Sequence, residues 1–315
     1  MKKLFATSLI FVILLAVSPR AYADSPKPTV TVVPFLQTIQ ILENEQSRSL
    51  DLTLTNNSKQ TLKFRLNVLD FGALDETGGV AFASSDSSAL IKKYGLSSWL
   101  KLAYNNLTLA PGQNAKVNAQ IINDASLTPG GHYAAIIASV DSPYTANKNQ
   151  VNINQRVSAL IMATKTGGEK YDLKLNQTNF DTSWLRLPTS VVLRFKNPGN
   201  VQVVPRGTVK LMAPGDKLIS QGVINEASSF VLPETFRQSP VELQRVAGPR
   251  CWPATYHLQV TYRYDGFDRF AVKDYYIRFI NIPALLLIGL ILLVTAYVAK
   301  TQYKKRWPHH KRRHH

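Results

Sequence analysis

The reading of this chain turns on residues 50–68: Leu50-Asp51-Leu52-Thr53-Leu54-Thr55-Asn56-Asn57-Ser58-Lys59-Gln60-Thr61-Leu62-Lys63-Phe64-Arg65-Leu66-Asn67-Val68. Leu50, Leu52 and Leu54 alternate with polar residues, and so do Leu62, Phe64, Leu66 and Val68. Successive side chains of a strand point to opposite faces, so a period of two means one buried face and one wet face. Asn56-Asn57-Ser58-Lys59 between them is turn chemistry. The pattern predicts a hairpin with one buried face.

The same rhythm continues outward. Ala115, Val117, Ala119 and Ile121 alternate after the turn Pro111-Gly112-Gln113. Tyr133 to Val140 is almost continuously apolar, as a central strand is, and Val151 to Ala163 is long enough to close a domain. Thr166-Gly167-Gly168-Glu169 reads as a linker, after which the pattern restarts at Leu173 and Leu175 and ends with Val272 to Ile277. The halves echo each other. Leu52 to Ser58 matches Leu193-Arg194-Phe195-Lys196-Asn197-Pro198-Gly199, and Pro129-Gly130-Gly131-His132-Tyr133 matches Pro253-Ala254-Thr255-Tyr256. Short strands at this spacing predict an all-β protein with two tandem Ig-like β-sandwich domains, 24–166 and 167–278. Residues 72–98 break the rhythm. Ala89 to Tyr94 there suits a short helix capped by Ser87 or Ser88, and the stretch is either an interaction loop or a plain long connection.

Both ends point to a membrane. Residues 1–23 read as a signal peptide: Lys2 and Lys3, an apolar run from Leu4 to Val17, then small residues Ala21 and Ala23 for cleavage after Ala23. Residues 279–299 form an uncharged stretch long enough for a transmembrane helix. Residues 300–315 are a basic tail with Lys300, Lys304, Lys305, Arg306, Lys311, Arg312 and Arg313 and no acid. The positive-inside rule predicts a cytoplasmic tail and an extracytoplasmic body, a single-pass protein of the cell membrane. The chain of 315 residues carries a formal charge of +17. Three cations leave with the leader and seven sit in the tail, so the body keeps 27 Lys and Arg against 20 acids. That balance argues against a nucleic-acid partner.

Chemistry is sparse. One Cys, Cys251, excludes a disulfide framework or a multi-Cys metal site. Four of the six His lie in the tail, which leaves His132 and His257, and no nucleophile elbow accompanies them. Asp70, Asp75 and Glu76 gather near one loop without calcium-loop spacing. Leu232-Pro233-Glu234-Thr235-Phe236 approaches a sortase signal but has Phe236 in place of Gly and lies far from the span, so it reads as a strand-to-turn segment. The expectation is a protein that is not an enzyme and uses no metal or small-molecule cofactor.

The order of leader, two sandwiches, span and basic tail resembles the WxL-interacting surface proteins of Gram-positive bacteria and, more closely, membrane-anchored proteins of candidate-phyla bacteria. The likeness is carried by Gly95-Leu96-Ser97-Ser98-Trp99-Leu100-Lys101-Leu102 with Leu109 to Gln113, by Pro129 to Ala135, and by Asn197 to Val201 with Asn225 and Val231 to Thr235. The first domain is also similar to the Ig-like domain of fimbrial chaperones, a family that normally lacks a C-terminal anchor. The resemblance implies a bacterial surface protein whose first domain binds peptidoglycan and whose second meets a host or partner surface. The expected function is adhesion or scaffolding on cell-wall material or a surface protein. The alternative is an anchored chaperone-like factor for exported or pilus subunits. An exposed apolar groove between edge strands of the first domain would favour the chaperone, and a polar face dotted with aromatics would favour adhesion.

Overall fold

A computed structural model describes residues 29–84, 88–141, 155–180, 186–246, 253–280 and 282–306. Ala21 and Ala23 of the leader, Cys251, the expected strand start at Val151, and Lys311, Arg312 and Arg313 of the tail lie outside the described residues. The protein is all-β, with two Ig-like sandwiches and one apolar C-terminal helix.

The first sandwich packs two sheets. One is built from β1 (Val30–Val33), β3 (Ser47–Asn56), β8 (Asn114–Ile122) and β6 (Leu100–Leu102) in the order β1-β3-β8-β6. The other runs β2 (Leu36–Ile41), β10 (Arg156–Lys165), β9 (Gly130–Val140), β4 (Leu62–Ala73), β5 (Val80–Phe82), with β7 (Asn106–Leu109) also on β4. After the cis Val33-Pro34 bond the chain leaves the first sheet, and β2 pairs parallel to β10 in the second.

This arrangement corrects the expected hairpin. β3 pairs with β1 and β8, whereas β4 pairs with β9, β7 and β5, so the two strands lie in opposite sheets. Leu50, Leu52 and Leu54 meet Phe64 and Leu66 in one core rather than side by side on one face. Alternation reports which side of a strand is dry and is silent about which strand lies beside it. Each such fully buried side chain stabilises the fold by ~1.5–3 kcal/mol.

The second sandwich packs β11 (Lys174–Phe180), β12 (Ser190–Lys196) and β15 (Phe236–Glu242) against a sheet ordered β16 (Gln244–Arg245), β14 (Lys217–Ile224), β13 (Arg206–Ala213), β17 (Ala254–Tyr264), β18 (Phe267–Phe279). Its core holds Val191, Leu193, Phe195, Leu211, Leu258 and Tyr262. Between the sandwiches the linker is tied down: Thr166 N donates to Ile41 O, and the Glu169 carboxylate accepts from Gly167 N and Gly168 N.

The break in rhythm at 72–98 holds β5 and the short helix α1 (Ala89–Lys93), capped by Ser88, whose Oγ accepts from Ile91 N. At the C-terminal end, Phe279 closes β18 instead of opening the span, and α2 (Ile282–Arg306) takes in Lys300, Lys304, Lys305 and Arg306 from the expected tail. Its segment Leu285–Tyr303 is long and apolar enough to cross a membrane, and none of it is buried against the sandwiches.

Candidate functional site

β9 is buried on both faces from Gly130 to Ala138. Its inner residues Ala134, Ile136 and Ala138 join the sandwich core. Its outer residues Tyr133, Ala135 and Ile137 form a second apolar cluster with Phe71, Tyr94 and Met162, and Phe230 and Leu232 of the second domain pack on it. A sheet face that would ordinarily be wet has become an interface between domains.

Polar contacts also hold that interface. The β4–β5 turn reaches across, so that the Glu76 carboxylate takes Arg194 Nε at 2.6 Å and Arg194 Nη2 at 2.5 Å. Gln238 N donates to Glu76 O at 2.7 Å, and the Arg194 guanidinium lies 3.7 Å from the centre of the Phe236 ring. At α1, the Lys93 ammonium pairs with Glu234, and Tyr94 OH donates to Glu234 Oε1 at 2.8 Å. In the interior, Tyr133 OH donates to Gln202 Oε1 at 2.9 Å, and Gln202 Nε2 donates to Thr164 Oγ1 at 3.1 Å. Hydrogen bonds from Arg194, and from Lys93 with Tyr94, pull the Glu76 and Glu234 carboxyls below the ordinary glutamate range. Desolvation pushes the Tyr133 hydroxyl well above the usual tyrosine range.

Beside these contacts the domains leave a cleft of about 330 Å³. Phe71, Leu160 and Met162 form one wall from the outer sheet of the first domain, with Phe35 and Leu36 from the β1–β2 crossing and Val80 from β5. Phe230, Leu232 and Phe236 form the other. Phe35 is 69% exposed. The second wall is braced. Asn225 Nδ2 donates to Pro205 O and Ser229 O, its Oδ1 accepts from Ser229 N, and Val203 and Val231 exchange two backbone hydrogen bonds.

Arg237 lies in this cleft. Its Nη1 donates to Phe230 O at 3.1 Å, and among the described residues it has no carboxylate in ion-pair range. Burial draws it below the ordinary arginine range while Asp75 acts the other way. Gly78 crosses directly over the guanidinium. It has φ +110°, a conformation that favours glycine, and a Cβ there would stand 2.1 Å from Arg237 Nη2, so any other residue would push the guanidinium aside.

Beside the cleft, β2 covers only part of the β10 edge, from Leu160 to Lys165. Arg156 to Ser158, not fully buried, pair with β9 on one side and with no strand on the other among the described residues. Such a row of open backbone groups accepts an added strand.

The residues singled out from sequence do structural work. Asp70 accepts from Leu96 N and Ser97 N, Asp75 closes its own turn through Thr77, and Glu76 joins the domains, so the three acids do not converge. Buried His132 is held between Gly95 O and Thr128 O, and His257 contacts Asp274 and stacks on Tyr276. Among the described residues no group of three or more His, Cys, Asp or Glu is placed to hold a metal ion. Sequence reading missed Arg194, Gln202, Phe230 and Arg237. Phe230 and Leu232 lie in an aperiodic stretch between strands, and large apolar residues off the strand rhythm were the available signal.

No protein-family model matches the chain, and no curated protein matches it. Solved structures similar to it include a chaperone–tip adhesin complex of CFA/I fimbriae (9% identity, 78% of this chain and 98% of that chain, TM-score 0.44). The class 5 fimbriae chaperone CfaA is 9% identical over 78% of this chain and 98% of its own, with TM-score 0.42. A CsuC–CsuE chaperone–tip adhesion subunit complex from Acinetobacter baumannii is 10% identical over 78% and 98%, with TM-score 0.38. The likeness is one of fold alone.

Proposed function

We propose that the protein is a non-enzymatic, membrane-anchored, extracytoplasmic binding protein that holds an extended, apolar segment of another exported protein between its two domains. It would act as a chaperone-like assembly factor for surface subunits. The observation that carries this reading is the cleft: apolar walls from both domains, a braced far side, and Arg237 with no acid partner among the described residues. Its volume is at the lower end of the ~300–1,000 Å³ usual for ligand sites, which suits a few side chains of a longer segment. The open stretch of β10 supplies backbone pairing beside it, and Arg237 would meet a carboxylate of the guest. The cleft lies between the two domains rather than between edge strands of the first, and its apolar walls favour assembly over adhesion or wall binding.

The test uses the full chain in its own membrane with a photo-crosslinking residue at Phe230 or Phe236. A control carries it at Gln120, on the exposed side of β8 in the opposite sheet. The reading expects one or a few exported proteins trapped from the cleft positions and not from Gln120. Equal trapping from all three, or retention on peptidoglycan sacculi that survives Phe236→Glu, would replace it with the wall-binding role.

A further inference from the structure

The end of the second sandwich that faces away from the cleft carries a charge pattern that the binding reading does not use. β18 runs from Phe267, after a turn whose Gly266 packs against Tyr171 just beyond the linker, to Phe279, and α2 begins at Ile282. Three residue steps span at most about 11 Å, so this end of the sandwich lies at the start of the apolar helix. Strand pairing identifies what else is there. Met212 is level with His257 and Tyr276, which puts the β13–β14 turn, with Asp216 and Lys217, level with Arg278. Ser190 pairs with Glu242 at the same end of the facing sheet, just after Arg186.

Arg186, Lys217 and Arg278 are all exposed, and among the described residues none of them forms an ion pair. Arg245 and the 53%-exposed Val246 sit slightly higher, and Tyr276, 72% exposed, stands between the rim and the open sheet face. Among the described residues, the acids at this end are Asp216 and Glu242. The bias extends to the whole domain: residues 167–278 hold 15 Lys and Arg against 10 acids, and residues 24–166 hold 12 against 10.

We propose that this rim is a docking surface for an anionic bilayer, with Arg186, Lys217 and Arg278 on lipid phosphates and Tyr276 at the headgroup boundary. Clustered cations beside a span are attracted to anionic headgroups, and tyrosine favours that interface. Docking stands the sandwich on end. Thirteen strand residues at ~3.3 Å each then hold the cleft about 40 Å from the membrane face, clear of the lipids. The inference rests on α2 being a membrane span and is independent of what the cleft binds.

The experiment reconstitutes the full chain in vesicles of phosphatidylcholine alone or of phosphatidylcholine with phosphatidylglycerol, and follows backbone hydrogen exchange. Flotation with the vesicles after alkaline extraction checks the span first, so failure to float overturns the span reading by itself. In floating protein, residues 213–217 and 186–189 are expected to exchange more slowly on the anionic vesicles. High salt should remove the difference, and the turn at 110–113 should be unaffected. Each cation removed should lower the docked population about five-fold, the equivalent of ~1 kcal/mol. R186E/K217E/R278E should erase the lipid dependence while exchange in β13 and β17 shows the domain still folded. Equal exchange in both lipids, or lipid dependence that survives the triple variant, overturns the docking surface.

Discussion

The two sandwiches solve the same problem with the same residue. Asn56 ends β3 and Asn197 follows β12, at matching points of the internal repeat, and both are completely buried. Asn56 Nδ2 donates to Gln60 O, Leu109 O and Ala110 O while its Oδ1 accepts from Ser58 N. Asn197 Nδ2 donates to Val201 O and Val231 O while its Oδ1 accepts from Gly199 N. Each is a side-chain staple where the chain leaves a sheet and backbone groups lose their ladder partners. The domains part company at their outer faces. In the first, the far side of β9 is buried beneath the second domain and α1. In the second, β18 keeps Phe270, Val272 and Tyr276 exposed. Similar strand patterns thus yield a closed face with a cleft beside it and an open face with a long free edge.

The comparison is broken most directly at the staples. Asn56→Ala and Asn197→Ala should each cost about 2–4 kcal/mol, from the several buried hydrogen bonds each one loses, at ~1–3 kcal/mol where a buried partner is left unsatisfied. Denaturant unfolding of the full chain in detergent, followed by a probe in each domain, should show each loss in its own domain. A cost for one and none for the other would end the equivalence. Tyr133→Phe comes next. It leaves Gln202 Oε1 without its donor, and about 1–2 kcal/mol should be lost from the first domain and the interface together.

The smallest effects concern the join. Glu76→Gln, which leaves Arg194 facing a neutral amide, should loosen the domains without unfolding either. Faster proteolysis within 74–79 and a larger radius of gyration would record it, and an unchanged radius would show that the apolar contacts suffice. Acid should do the same. Both Glu76 and Glu234 have carboxyls held below their ordinary value in the folded protein. Their contribution is therefore complete above the ordinary glutamate range and is lost as pH falls through the depressed values. The join should loosen progressively as pH falls below the ordinary glutamate range, reversibly, with strand content intact by circular dichroism. Separation on raising the pH instead would assign the join to other groups.

Much of the architecture was legible. Alternation in Leu50–Leu54, Ala115–Ile121 and Val191–Phe195 marked strands, and the continuous run at Tyr133 marked one buried on both sides. The pairing of β3 was not legible, because two strands that share a core and two strands that share a sheet leave the same one-sided pattern. The candidate site was nearly invisible. Phe230, Leu232 and Arg237 acquire meaning only opposite Phe71 and Met162, more than 60 residues away in the chain. Glu76 looked like one of three surface acids until Arg194 stood against it.

What the sequence by itself determined is therefore periodic or compositional: the strands and their dry faces, the repeat that follows a strand with an asparagine-bearing turn in each half, and an apolar helix long enough to span a membrane. These are local, since the spacing of side chains and the length of an apolar run need no knowledge of neighbours. Tertiary structure alone decided which sheet each strand joins, why β9 is buried on both faces, where the cleft opens, and that Arg237 lies in it without an ion pair among the described residues. Those depend on contacts between distant segments, and a guanidinium or a phenylalanine carries no mark in sequence of which distant side chains folding will bring against it.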